Sequence, residues 1–225
     1  MDMGDLRRYG VSSASAHGYV KSGWLVRLGR GAFMFAGDTL GRDASLVFLG
    51  RKIPGLHVAG RTALAWQGFQ QNLAHQETLC LQGEARAVLP GWFRERFPAR
   101  YAAPVLFDEN LPVRFGLAVL PEAPAGPMVS VPERALLEML GEVGVQQEAA
   151  EARGIMESVR QVRMKELAVL LKNCRMVKAV RLCVVWAEEL GLPWAAAARE
   201  AAAGKLGTGR WIKRLKDGST LILND

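Results

Sequence analysis

The spacing of apolar and polar positions divides this chain into a front of short mixed elements and a back of amphipathic helices. A helix around residues 4–9 is followed by Gly10 and Ser12, a helix stop and then an N-cap, which predicts a second helix from Ser12 or Ser13 to Ser22. On that helix Ala16, Tyr19 and Val20 share one side. Ser13, His17 and Lys21 recur every four residues on the other, beside the small Ala14 and Gly18. Gly23 closes the helix, and residues 24–28 and 32–35 read as strands joined through Gly29, Arg30 and Gly31, a hairpin with Arg27 and Arg30 near its tip. Helix, turn, helix and basic hairpin is the order of a winged helix-turn-helix, here over residues 1–40. Such a module carries a further helix ahead of the position of Gly4. Three expectations stand for it: it is lost, it is replaced by a later helix such as 42–52, or the native start lies upstream of Met1.

Beyond residue 40 the pattern predicts a helix at 43–51, a short strand at 56–59 and a helix at 61–66 that Gly68 ends. Strand-like stretches at 77–82, 104–107 and 113–120, punctuated by Pro90, Pro98, Pro112 and Pro121, suggest a small, mostly antiparallel sheet. Residues 121–127 are rich in Pro, Ala and Gly and form a candidate linker. Five helices are predicted after it, at 132–143, 147–158, 164–173, 177–190 and 194–203. Ala135, Leu136, Met139 and Leu140 form one apolar stripe, and Leu167, Leu170 and Leu171 another. A glycine-rich basic turn at 204–210 then feeds a hairpin of 211–215 and 220–223. The fold class is α+β: a winged helix-turn-helix, a mixed α/β middle and a largely helical C-terminal part, with residues 41–225 as one C-terminal domain.

Composition excludes a disordered or collagen-like chain, since half of the 225 residues are hydrophobic and Gly and Pro show no period. Three cysteines without CxxC spacing argue against a disulfide framework or structural zinc, which points to a reducing compartment. The first residues lack an apolar stretch, and no apolar run approaches the roughly 18 residues of a membrane span. A cytoplasmic protein without membrane contact is expected. The net charge of +7 is unevenly placed: residues 1–52 carry eight basic and four acidic side chains, and residues 204–225 five and two. Within the balanced segment between, residues 160–181 hold seven basic residues and Glu166 as their one acid. These regions are candidate anion-contact surfaces.

The basic hairpin and the second helix suit double-stranded DNA. A helix with small outward residues enters the major groove, where Ser13 and His17 reach base edges and Lys21 a phosphate, while Arg27 and Arg30 meet the backbone or the minor groove. A second basic surface is expected from Arg175, Lys178 and Arg181, spaced by three, with Lys205, Arg210, Lys213 and Arg214. Catalytic signals are weak. Gly204, Gly207 and Gly209 do not match a phosphate-loop spacing, His17, His57 and His75 are not spaced as metal ligands, and Cys174 beside Arg175 has no histidine partner to make it a nucleophile. Neither catalytic residues, a metal nor a cofactor is expected.

The segment GWLVRLGRGAF at 23–33, GRTALAWQG at 60–68, SVPERALLEML at 130–140, KAVRL at 178–182 and LGTGR at 206–210 resemble, in this order, landmarks of the AbiEi antitoxins of bacterial type IV toxin–antitoxin, or abortive infection, systems. Ala32-Phe33 stands where the family has Val-Tyr, and Gln70 to Asn72 where it often has His-Tyr. The resemblance implies an N-terminal winged helix that represses the operon's own promoter, at inverted repeats, and a C-terminal domain that opposes an AbiEii-type nucleotidyltransferase toxin without a stable complex. Two other readings stay open: a protein-interaction module that has lost DNA binding, and an enzyme acting on nucleic acid.

Overall fold

The computed structural model describes residues 1–69, 78–214, 218 and 220–223; Gln70 to Glu77, Leu215 and the side chain of Lys213 lie outside the described residues. The chain is α+β. Its N-terminal unit begins with α1 (Met3–Arg8), opened by a capping box in which the Asp2 and Asp5 carboxylates accept from each other's backbone N–H. Gly10 (φ 75°) makes the left-handed turn into α2 (Ser13–Lys21), whose Ser12 Oγ accepts from Ser15 N at 3.0 Å. Antiparallel β1 (Leu25–Gly29) and β2 (Ala32–Phe35) complete the unit, with an irregularity between Arg27 and Gly29.

This unit buries only Leu6, Ala16, Leu25 and Phe33 in a core of its own. Tyr19, expected on the apolar side of α2, does not join this core and is 44% exposed. Ion pairs Asp2–Lys52 and Asp5–Arg51 tie α1 to the end of α3 (Arg42–Gly50), yet Leu46 and Leu49 of α3 belong to the main core.

The main core is built on a five-stranded sheet in the order β5-β4-β3-β7-β6. Its strands are β3 (His57–Val58), β4 (Leu79–Gln82), β5 (Ala99–Ala102), β6 (Leu117–Ala118) and β7 (Val129–Ser130). Val58 pairs antiparallel with Leu81 and parallel with Val129, β4 runs parallel to β5, and β6 antiparallel to β7. The expectation of a mostly antiparallel sheet is therefore corrected to an evenly mixed one. Residues 104–107 form no strand, only a bridge from Phe107 to Cys174, and the strand predicted over 113–120 shrinks to β6. Helix α5 (Gly91–Arg96) and strand β5 were not legible in the pattern. Residues 121–127 connect β6 to β7, neighbours in this one sheet.

Helix α4 (Gly60–Trp66) ends before Gly68 (φ 88°) and lies against β4, β7 and α6 (Pro132–Glu142). The apolar stripe on α6 is only part of its buried surface, since residues 133–141 are all buried, Glu133, Arg134 and Glu138 included. Around α6 stand α7 (Ala149–Ser158), α8 (Met164–Asn173) and α9 (Val177–Glu189), with α10 (Ala195–Ala201) on α8 and α9. Strands β8 (Trp211–Arg214) and β9 (Thr220–Leu223) form the last hairpin. Among the described residues no helix is long and apolar enough to cross a membrane.

Glu138 locks α6 to the sheet. Its carboxylate, with no exposed surface, accepts from His57 Nε2 (3.1 Å), Arg134 Nε (2.8 Å), Ser130 Oγ (2.8 Å) and Gly60 N (3.0 Å). Burial alone would raise its pKa, but the charges and hydrogen bonds of His57 and Arg134 outweigh it and hold the pKa at about 2. His57 Nδ1 faces Gly55 O at 2.7 Å, so both ring nitrogens of this buried histidine face oxygen atoms. Arg134 Nη1 also donates to Val113 O and Phe115 O, which joins the 113–116 turn to the same cluster.

Candidate nucleic-acid interface

The eight basic side chains of residues 1–52 fall into two groups. Lys52 pairs with Asp2, and its hydrogen bond is the main cause that holds the Asp2 pKa at about 2, while Arg51 shares Asp5 with Arg8, each at 3.6 Å. Arg42 pairs with Asp43 at 2.7 Å and stacks over the Trp66 ring at 4.1 Å. Arg7, Lys21, Arg27 and Arg30 are exposed on the N-terminal unit with no ion pair among the described residues, and Arg8 is exposed beside Asp5.

Helix α2 presents Ser13, His17 and Lys21 to solvent, as its spacing predicted, and Ala14 and Gly18 keep the surface between them low. The hairpin carries Arg27 opposite Phe33 and Arg30 at the turn made by Gly31 (φ 70°); Arg27 Nε bonds Gly29 O at 3.4 Å, which holds the side chain along the strand. All five predicted DNA-contact residues are thus exposed on one small unit. Arg7 and Arg8, in the last turn of α1, add to it; the sequence signal for them was the basic excess of residues 1–52. Exposed aromatics accompany these charges: Trp24 at 72% and Phe35 at 53%.

The hairpin's position is set from outside the unit. Helix α5 meets β1, and a methyl group at Gly29 would come within 3.1 Å of the Trp92 ring. Trp92 is held by edge-on contacts with Phe48 (6.2 Å) and Phe93 (5.9 Å), so an aromatic row rooted in the main core backs the basic hairpin.

The second basic surface is divided by the structure. Arg175 precedes α9 and is exposed, so it does not continue a helical edge with Lys178 and Arg181. Lys178 Nζ donates to Gly141 O (2.5 Å) and Val143 O (2.9 Å), carbonyls at the end of α6 that lack helical partners. Arg181 is buried and donates to Leu206 O and Gly209 O, which pins the glycine-rich turn. Both therefore serve backbone carbonyls. Arg210 and Arg214 are exposed and Lys205 is half-buried.

Cys174 does not acquire a reactive thiolate beside Arg175. Burial pushes its pKa up to about 11 and that of the nearby Cys183 up to about 12. Among the described residues no group of His, Cys, Asp and Glu is arranged to hold a metal ion.

Comparison with known proteins places this architecture. A family model described as "Transcriptional regulator, AbiEi antitoxin N-terminal domain" matches residues 1–75, and one described as "Transcriptional regulator, AbiEi antitoxin, Type IV TA system" matches residues 76–221. The RV2827C protein from Mycobacterium tuberculosis, known from a crystal structure, is similar in fold with a TM-score of 0.53 at 17% identity, over 87% of this chain and 70% of that one. A search of curated proteins returns no match.

Proposed function

The chain belongs to the AbiEi antitoxin family, transcriptional regulators of type IV toxin–antitoxin systems, and from that membership we propose that its N-terminal unit is a winged helix-turn-helix that represses its own operon. Helix α2 enters the major groove of the promoter with Ser13 and His17 at base edges and Lys21 at a phosphate, and Arg27 and Arg30 of the wing bind the adjacent backbone. The observation that carries this reading is the joint exposure of those five side chains on one unit while the neighbouring cations Arg42, Arg51 and Lys52 are engaged in ion pairs. Two copies on inverted repeats fit the family's mode of regulation. The C-terminal part, working in the cytoplasm, counteracts an AbiEii-type nucleotidyltransferase toxin without forming a stable complex with it.

A gel shift on the DNA upstream of its own gene, beside an unrelated fragment of equal length, tests the DNA half of the proposal. Preference for the upstream fragment is expected; equal affinity for both rejects sequence-specific repression. Co-expression with the adjacent gene product tests the other half: growth is restored by this chain if it is the antitoxin, and toxicity persists if it is not. Exposed Trp24 and Phe35 support a second reading, a surface that binds protein instead of DNA. That reading predicts restored growth without any promoter shift.

A further inference from the structure

A cavity of about 280 Å³ opens at the β5 edge of the sheet, walled by β4, β5, the start of α4 and α6. None of its lining residues belongs to the N-terminal unit, and nothing in the DNA reading uses it. Buried Leu81 and Met139 make an apolar interior. Arg61 and Arg100 stand on its wall. Arg61 Nη1 donates to one oxygen of Glu151 at 2.8 Å, and Gln147 Nε2 to the other at 2.7 Å, so that arginine is compensated. Arg100 is exposed and donates to the neutral amide oxygen of Gln146 at 2.8 Å; among the described residues no carboxylate lies within ion-pair distance of it. Glu142 lines the same cavity, and among the described residues its carboxylate receives no hydrogen bond or ion pair.

An uncompensated guanidinium and an uncompensated carboxylate on one apolar cavity complement a ligand that is anionic at one end and an N–H donor at the other, with a flat body between. The volume of about 280 Å³ lies just below the usual range for small-molecule sites, roughly 300–1,000 Å³, a size that points to a single nucleotide in place of a dinucleotide. A carboxylate is matched best by two parallel N–H donors, and among the common bases guanine alone offers them, on N1 and N2; uracil offers one N–H flanked by carbonyls that a carboxylate repels. We propose that this cavity binds a nucleoside monophosphate, its phosphate on Arg100 and its base edge on Glu142, with guanine preferred.

Isothermal titration of the full chain with GMP, AMP, CMP, UMP, guanosine and inorganic phosphate tests this, independently of DNA binding. The expected result is saturable one-to-one binding of GMP, at least tenfold tighter than that of UMP, guanosine or phosphate alone. Arg100→Ala should weaken GMP at least tenfold, and Glu142→Gln should erase the gap between GMP and UMP. Arg100 is exposed and Glu142 half-buried, so both variants should keep the thermal midpoint of the parent. No saturable GMP binding at millimolar concentration overturns the proposal. So does GMP binding that both substitutions leave unchanged, because the nucleotide then sits elsewhere.

Discussion

Replacing Glu138 with Gln keeps the shape of the side chain and removes the one negative charge that His57 and Arg134 share. The Glu138 carboxylate has no exposed surface, and its four donors come from β3, α4, β7 and α6 itself. An amide offers a single acceptor oxygen and turns an N–H₂ toward donors, so at least one of the four bonds becomes a donor facing a donor. Loss of one partner from a buried charge cluster costs about 3–5 kcal/mol. The pH dependence provides a second measure. The pKa of Glu138 falls from 4.5 to about 2 on folding, and at about 1.4 kcal/mol per unit the ionised form adds about 3 kcal/mol of stability. Because the folded pKa is depressed, that contribution is fully present above about pH 5 and is lost as pH falls toward 2. Urea unfolding of parent and Glu138→Gln at a series of pH values should therefore show a gap of about 3 kcal/mol or more near pH 7, narrowing steadily below pH 4.5. A gap under about 0.5 kcal/mol at neutral pH, or one that stays constant into acid, would refute the reasoning that this charge holds α6 to the sheet.

Promoter affinity should fall with salt at a slope of about −2.7 on logarithmic axes for each bound copy, roughly 0.9 for each of Lys21, Arg27 and Arg30, and Arg27→Ala with Arg30→Ala should reduce that slope by about 2. Arg181→Ala should lower stability by about 1–3 kcal/mol in chemical unfolding, since it unpins Leu206 O and Gly209 O, yet leave the salt slope unchanged. An altered slope would return Arg181 to the DNA surface. Trp92→Ala, which removes the ring behind Gly29, should weaken promoter binding about tenfold in a fluorescence anisotropy titration, equivalent to about 1.4 kcal/mol. In the Arg27→Ala, Arg30→Ala background the same change should add nothing, because Trp92 acts through the position of the hairpin; full additivity would contradict that.

Much of the local structure was legible in the chain because its causes are local. The 164–173 helix appears in the structure with the same ends, since its three leucines recur at helical spacing and fall on the buried side of α8. Gly10 and Ser12 mark the turn between α1 and α2 for the same kind of reason: a left-handed backbone and a side-chain cap are properties of single residues. Helix α5 leaves no helical period in the sequence because it has six residues, of which Phe93 alone is buried, between Pro90 and Pro98. The mixed sheet was hidden because β3 and β7 have two residues each and pair across some seventy positions of chain, for which no local signal exists.

The candidate interface divides along the same line. Exposure of Ser13, His17 and Lys21 could be read directly, as they recur on one face of a short helix whose other face holds Ala16. For Lys178 and Arg181 the same rule of spacing led to a solvent-facing edge, where the structure has donors to the carbonyls of α6 and of the 206–209 turn. By itself the sequence determined the helix-turn-helix and hairpin at the front with its Gly10 turn and Ser12 cap, the helices of the back half, the basic excess at the two ends and the family. Which charges remain available to a ligand was decided only by the tertiary structure. A cation's fate depends on the acceptors that folding brings beside it, and those belong to residues distant in the chain: Asp2 for Lys52, Glu138 for Arg134, and backbone carbonyls for Arg181.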